Sequence, residues 1–193
     1  LKNNELLVHG MAGEAVASGG FHADNIAPAL FGGIILIRSY EPLDILNLPV
    51  PKSLFSTAVL PDFIVNTLDA RRLLPKRVPL KSAVEQAGNL AGFTLGLHES
   101  DFDLLGRSMV DLFAEPFRAE LIPGYPSVRQ SAMDAGAIGC GISGSGPALF
   151  ALSDSLDIAK QIGATMVDSF NIAGLKSTAY STPIHTKPPE ILD

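Results

Sequence analysis

Residues 139–147 read Gly-Cys-Gly-Ile-Ser-Gly-Ser-Gly-Pro, and the apolar runs on either side limit what this stretch can be. Gly139, Gly141, Gly144 and Gly146 leave backbone amides uncovered, and Ser143 and Ser145 add hydroxyl donors. Glycine reaches the positive φ values that turn successive N–H groups toward one point, so a loop of this kind can wrap an anion. The spacing of Gly139, Gly141 and Gly144 also fits G-x-G-x-x-G, but the dinucleotide fingerprint needs a strand before the loop and a helix opening after it. Here Gly146-Pro147 leads into Ala148-Leu149-Phe150-Ala151-Leu152, a run of strand character that ends at Ser153-Asp154. The loop therefore joins two strands, 137–142 and 148–152. No acidic residue closes a ribose site about 20 positions on, because Asp168 lies inside a helical pattern. The serines also miss the spacing of a nucleophile elbow. What remains is a strand–loop–strand unit, either an anion cradle or a wide turn without a ligand.

The rest of the chain sets the context. Its 193 residues are 47% apolar and 18% charged, enough for a real core in one domain or two. A net charge of −6 gives no electrostatic support for nucleic-acid binding. The single Cys140 excludes an intramolecular disulfide framework and suits a reducing cytoplasm. The longest apolar run, 26–37, is interrupted by Pro28, Gly32 and Gly33 and is too short to span a bilayer. No cationic segment followed by an apolar core opens the chain, so no signal peptide is expected.

Periodicity and punctuation give the order of elements. A helix containing Leu6, Leu7, Val8, Met11 and Val16 stops near Gly19-Gly20. Asp24 or Asn25 caps a short helix over 26–31, which Gly32-Gly33 ends. A buried strand over 34–37 follows, then strands over 45–48 and 55–60 on either side of a linker at 49–53. A short helix covers 68–74. Leu80, Ala83, Val84, Ala87, Leu90, Ala91 and Leu95 hold one face of the clearest helix at 3.6 spacing. Further helices are expected over 102–113, 127–135 and 158–170, and a last strand over 175–180. The class is α+β, without a regular βαβ array.

Several clusters can carry chemistry. Phe21-His22-Ala23-Asp24-Asn25 sets polar groups at a helix start, where free N–H groups favour anions; ordinary capping is the competing reading. Glu14 stands alone, and a carboxylate of this kind holds Mg²⁺ only with phosphate oxygens beside it. Arg71 and Arg72, with Lys76, Arg77 and Lys81, form a cationic stretch; the guanidinium fork suits carboxylate or phosphate, while Arg72, Lys76 and Arg77 read as a solvated face. Glu115-Pro116-Phe117-Arg118 places an arginine at a proline-fixed turn, with a salt bridge to Glu115 or Glu120 as the plain alternative.

Together these segments resemble one family. Gly141-Ile142-Ser143-Gly144-Ser145-Gly146-Pro147 is similar to the third motif of the GHMP kinases, which phosphorylate small molecules. His22-Ala23-Asp24-Asn25-Ile26-Ala27-Pro28-Ala29-Leu30-Phe31-Gly32-Gly33 resembles the homoserine kinase branch. So do Ala70-Arg71 before Leu73-Leu74-Pro75, and Ala114-Glu115-Pro116-Phe117-Arg118 before Leu121-Ile122-Pro123-Gly124-Tyr125. The resemblance covers nearly the whole chain and weakens after Tyr180. It implies an N-terminal α/β domain with a left-handed crossover, then a ferredoxin-like α+β domain, with the active site between them. Residues 1–50 would be the back half of the first domain and 51–193 the second.

The resemblance also implies roles. Asn25 would orient the reacting hydroxyl and the γ-phosphate of ATP, and Glu14 would hold Mg²⁺. Arg71 and Arg118 would clamp the α-carboxylate of L-homoserine, and His22 and Asp24 would line its pocket. Thr67, Gly141, Ser143, Gly144, Ser145 and Gly146 would lie by the nucleotide phosphates. Catalysis would rest on Asn25 and Arg118, with no general base. The product would be O-phospho-L-homoserine, in threonine biosynthesis, from a cytoplasmic homodimer with no nucleic-acid or membrane partner. The family's first motif and its Pro-x-x-x-Gly-Leu-Gly-Ser-Ser loop do not occur in the sequence, so the 193 residues alone are expected not to turn over ATP. The alternatives are another GHMP kinase, against which the two arginines argue, or a non-catalytic amino-acid-binding ferredoxin-like module.

Overall fold

A computed structural model describes residues 3–18 and 22–190, and the chain divides into two compact units. The first comprises Leu1–Val50 with Ile184–Asp193, the second Pro51–Pro183. The break after Val50 lies inside the expected linker. The expected second domain ran to the end of the chain, whereas residues past Pro183 cluster with the first unit; there Gly33 N–H donates to the His185 carbonyl at 2.7 Å.

In the first unit, helix α1 (Asn3–Ser18) and helix α2 (Ile26–Phe31) cover an antiparallel ribbon of β1 (Ile34–Tyr40) and β2 (Leu43–Leu48). The expected stop at Gly19-Gly20 lies outside the described residues. Leu7, Met11, Ala23 and Ala27 form the buried centre, with Ile35, Ile37, Leu43 and Ile45 packed against it from the ribbon. Residues 34–37 were expected as a buried strand; they are half-buried, because a two-stranded ribbon has one covered face.

The second unit is built on a four-stranded antiparallel sheet. Its order is β4 (Gly139–Ile142), β5 (Leu149–Ser153), β3 (Phe55–Pro61), β6 (Ser177–Pro183). Helices α7 (Tyr125–Asp134) and α8 (Leu156–Ile172) pack on it, and the core gathers Val59, Val128, Leu149, Ile162, Met166 and Phe170. Thr57 is fully buried in β3 and donates to the Ala159 carbonyl at 2.8 Å, tying sheet to helix. Before the sheet closes, the chain makes α3 (Thr67–Arg72), α4 (Leu80–Glu99), α5 (Phe102–Ser108) and α6 (Glu115–Arg118). The helix expected over 102–113 ends at Ser108. Past that end, the Asp111 carboxylate accepts from the N–H groups of Phe113 (2.8 Å), Ala114 (2.9 Å) and Glu115 (3.1 Å) and holds the turn that leads into α6.

Helix α4 packs in an unexpected way. Its buried residues are Gly96 and Leu97, and a Cβ at Gly96 would come within 2.9 Å of the Leu105 backbone N. The absent side chain lets α5 lie close. The face marked by periodicity points outward: Leu80 is 80% and Val84 65% exposed.

Candidate functional site

The glycine loop is a hairpin. Ile142 pairs with Leu149 across β4 and β5, Ser143 N–H donates to the Ala148 carbonyl at 2.8 Å, and Gly146 N–H to the Ser143 carbonyl at 3.0 Å. Gly144 and Gly146 stand at φ +59° and +84°, values that side chains resist. A Cβ at Gly144 would meet nothing within 4 Å, so the crest of the loop is open.

Two other segments of this unit reach the loop. Arg118, at the end of α6, donates through Nη1 to the Gly144 carbonyl at 2.7 Å across 26 positions of sequence. Its Nε is buried without a hydrogen-bond partner, so the guanidinium keeps donor capacity beyond that bond. The alternative of an Arg118–Glu115 salt bridge gives way, because Glu115 instead sits 3.4 Å from Arg129. Thr67, the first residue of α3, lies with its Oγ1 at 3.4 Å from Ser145 Oγ. Asn66 holds that helix start, its side chain accepting from Leu68 N–H at 2.9 Å and Asp69 N–H at 3.3 Å. Thr67 and Arg118 thus both reach the loop, whereas the sequence reading set Thr67 beside the loop and Arg118 at the substrate carboxylate.

The other arginines of this stretch divide. Arg72 pairs with Asp69 at 3.1 Å on an exposed surface, as a solvated face would. Arg71 is exposed one position earlier, in the last turn of the same helix.

Behind the loop, Glu115 and Arg129 lie beside Tyr125 and Cys140. Burial first, then the Glu115 carboxylate, pushes the Tyr125 phenol far above its ordinary range. Burial also raises the Cys140 thiol to about 12, with Arg129 opposing the rise and Glu115 adding to it. A cleft of about 300 Å³ opens between α4 and β4–β5, lined by Gln86, Leu90, Phe93, Asp111, Glu115 and Phe150 among others. Gln86 Oε1 accepts from Leu112 N–H at 2.8 Å. Asp111, Gln86, Asn66 and Arg129 were not singled out in the sequence.

In the first unit, Asn25 occupies the N-cap position of α2, yet its side chain makes no capping bond and its backbone is helical at φ −93°, ψ −34°. Capping therefore does not account for this side chain. Asp24 and Asn25 are exposed and His22 is half-buried. Glu14 is half-buried on α1. Among the described residues, no group of three or more His, Cys, Asp or Glu side chains is placed to hold a metal ion. No helix among them is long and apolar enough to cross a membrane.

Comparison with known proteins gives a consistent set of similarities. Residues 93–172 match the family GHMP kinases C terminal. The chain is 47% identical over 182 residues to the homoserine kinase of Chlorobium phaeobacteroides (strain DSM 266), covering 93% of this chain and 57% of that protein. It is 48% identical over 182 residues to that of Chlorobaculum tepidum, covering 93% and 56%. The crystal structure of homoserine kinase from Cytophaga hutchinsonii superposes with a TM-score of 0.96 at 46% identity, over 100% of this chain and 61% of that one. Leishmania major mevalonate kinase shares the fold at a TM-score of 0.67 and 18% identity. The chain thus spans somewhat over half the length of the curated relatives it matches.

Proposed function

We propose that the chain serves a homoserine kinase, a reading supported by the match of residues 93–172 to the family GHMP kinases C terminal. The reaction moves the γ-phosphate of ATP to the side-chain hydroxyl of L-homoserine and gives O-phospho-L-homoserine. The observation that carries this reading is Arg118, fixed on the Gly144 carbonyl at 2.7 Å with its buried Nε unpaired. A guanidinium held by one bond with donors to spare suits a carboxylate or a phosphate. The similarity to homoserine kinases at 46–48% identity supports an amino-acid substrate.

Phosphoryl transfer asks for positioning and charge stabilisation more than for a strong nucleophile. Arg118 and Arg71 bind the substrate carboxylate, and His22 and Asp24 line the substrate pocket. Asn25 orients the hydroxyl and the γ-phosphate; its carboxamide donates and accepts hydrogen bonds but takes no proton, and no general base is assigned. The crest at Ser143, Gly144, Ser145 and Gly146, with Gly141 behind it and Thr67 beside it, faces the phosphates. A cation that takes most of its ligands from phosphate and water, as Mg²⁺ does, would fit a single carboxylate, and Glu14 would be its protein ligand. When bound, Mg²⁺ neutralises charge on the β- and γ-phosphates.

Calorimetric titration with L-homoserine, and separately with MgATP, tests the reading. Arg118→Ala weakens homoserine binding about 10- to 100-fold, the loss of a charge-assisted hydrogen bond, while Arg72→Ala leaves it unchanged. Binding indifferent to Arg118→Ala removes that residue from the site. Homoserine binding with no response to MgATP favours an amino-acid-binding module only where the protein titrated also carries the family's Pro-x-x-x-Gly-Leu-Gly-Ser-Ser loop.

A further inference from the structure

Helix α6 is a single turn, Glu115–Arg118, and none of its residues is wholly buried. The Phe117 and Arg118 N–H groups donate to the Ala114 carbonyl at 3.1 and 3.0 Å, and a helical turn this short does not hold itself in water. Its last residue nevertheless places Nη1 2.7 Å from the Gly144 carbonyl, 26 positions on. A shift of about 1 Å would break that bond. Something other than the turn itself must therefore fix where Arg118 stands.

The fixed point is the other end of the turn. Glu115 N–H donates to the Asp111 carboxylate at 3.1 Å, and Glu115 Oε1 lies 3.4 Å from Arg129 Nε on α7. A Cβ on Gly141 would stand 3.6 Å from Oε2, so the carboxylate rests against β4. Arg129 Nε is buried without a hydrogen-bond partner, which leaves Glu115 as the countercharge of a guanidinium partly out of water. The Glu115 and Arg129 side chains are 20% and 35% exposed, against 63% and 79% for Asp69 and Arg72. An exposed pair contributes little, whereas breaking a covered one strands a charge, so the covered pair resists displacement.

Glu115 and Arg118 are three positions apart, on one face of the turn. A turn pinned through its first side chain passes that placement to its last. We propose that Glu115 and Arg129 are positioning residues: their ion pair seats α6 on α7 and β4 and so sets the Arg118 guanidinium at the crest of the glycine loop. Neither needs to touch a ligand; they act as the outer partners that hold a binding group within about 0.5 Å of its working place. That the placement serves a substrate carboxylate rests on the homoserine reading, and the seating of Arg118 on Gly144 does not.

Amide NMR and calorimetry on the full chain test the two claims separately. The Ser145 amide nitrogen is bonded to the Gly144 carbonyl carbon, so its signal reads the Arg118 bond, and Arg118→Ala moves it. Arg129→Met moves it in the same direction, Arg129→Lys restores most of the shift, and Arg129→Met adds nothing in the Arg118→Ala background. Glu115→Gln keeps the shape and removes the charge, and it repeats the effect where Arg129→Met does not fold. In titration with L-homoserine, Arg129→Met weakens binding about tenfold, and not at all in the Arg118→Ala background. A Ser145 signal that follows Arg118→Ala but ignores both Arg129→Met and Glu115→Gln overturns the proposal. So does an Arg129→Met effect of equal size with and without the Arg118 side chain, since the pair then acts on the fold at large. Homoserine binding indifferent to Arg118→Ala, with the Ser145 signal behaving as expected, overturns the substrate reading and upholds the positioning.

Discussion

Helices α4 and α8 are both long and both carry an apolar stripe at helical spacing, yet the fold uses them in opposite ways. In α8, Ala159, Ile162, Met166 and Phe170 are wholly buried against the sheet. Gly163 fits there because a Cβ would stand 3.1 Å from the Ala179 Cβ on β6, so the helix lies close to the strands. Helix α4 is three residues longer, with 20 residues against 17, and buries only Gly96 and Leu97, while its stripe faces outward. Hydrophobic periodicity therefore establishes that a face wants cover, and the supply of neighbouring elements decides whether the same chain provides it. The sheet supplies it for α8. For α4, the inner side is already taken up by α5 through Gly92 and Gly96, and the stripe is left over.

The largest effect that separates the two helices is a truncation in the core. Phe170→Ala should cost about 3–5 kcal/mol in denaturant unfolding, the usual loss for a buried aromatic in a site that cannot collapse. A loss below about 1 kcal/mol would mean that α8 is not held as tightly as its burial implies. Next comes the polar tie beneath the same helix. Thr57 Oγ1 donates to the Ala159 carbonyl and lies 3.0 Å from Ser181 Oγ, with no solvent to replace either partner. Thr57→Val keeps the shape and should cost about 1–2 kcal/mol. Equal stability of Thr57→Val and the parent would show that the apolar contacts alone seat α8.

The core under α8 also holds Cys140, and its dryness has a pH signature. The thiol keeps its proton to about 12 in the folded chain, against an ordinary value of 9.0. Above pH 9 the unfolded state binds fewer protons than the folded one, so stability is fully present below pH 9 and falls as pH rises toward 12. At pH 10 the loss from this group is about 1 kcal/mol. Cys140→Ala should flatten the decline in urea unfolding between pH 9 and 11 without abolishing it, because Tyr125 is shifted in the same direction. An unchanged slope in Cys140→Ala would place the thiol in contact with water.

Much of this was legible in the sequence, and the exceptions share a cause. Helices α2, α3, α7 and α8 and the strands either side of the glycine loop lie within a few residues of their expected places, because each is fixed by local spacing and by Gly or Pro at its ends. The end of α5 was not legible, because Ser108 is followed by Met109 and Val110 with no Gly or Pro, and the Asp111 turn comes only after them. Nor was the partner of Arg118: Glu115 stands three positions away, yet the bond goes to Gly144, 26 positions on, since α6 brings the guanidinium to the hairpin. Asn25 shows the converse, with a cap position correctly expected and a side chain that does not cap. In each case pattern located the element, and contacts distant in sequence decided what its side chains do.

The smallest effect sharpens the comparison most. Leu80→Ser on α4 removes a large apolar side chain, as Phe170→Ala does, but at 80% exposure there is little buried area to lose. It should shift the unfolding free energy by less than about 0.5 kcal/mol, the range of surface substitutions. A cost of 2 kcal/mol or more, about four times that surface limit, would mean that α4 is covered by its own chain, and the contrast between the two helices would disappear.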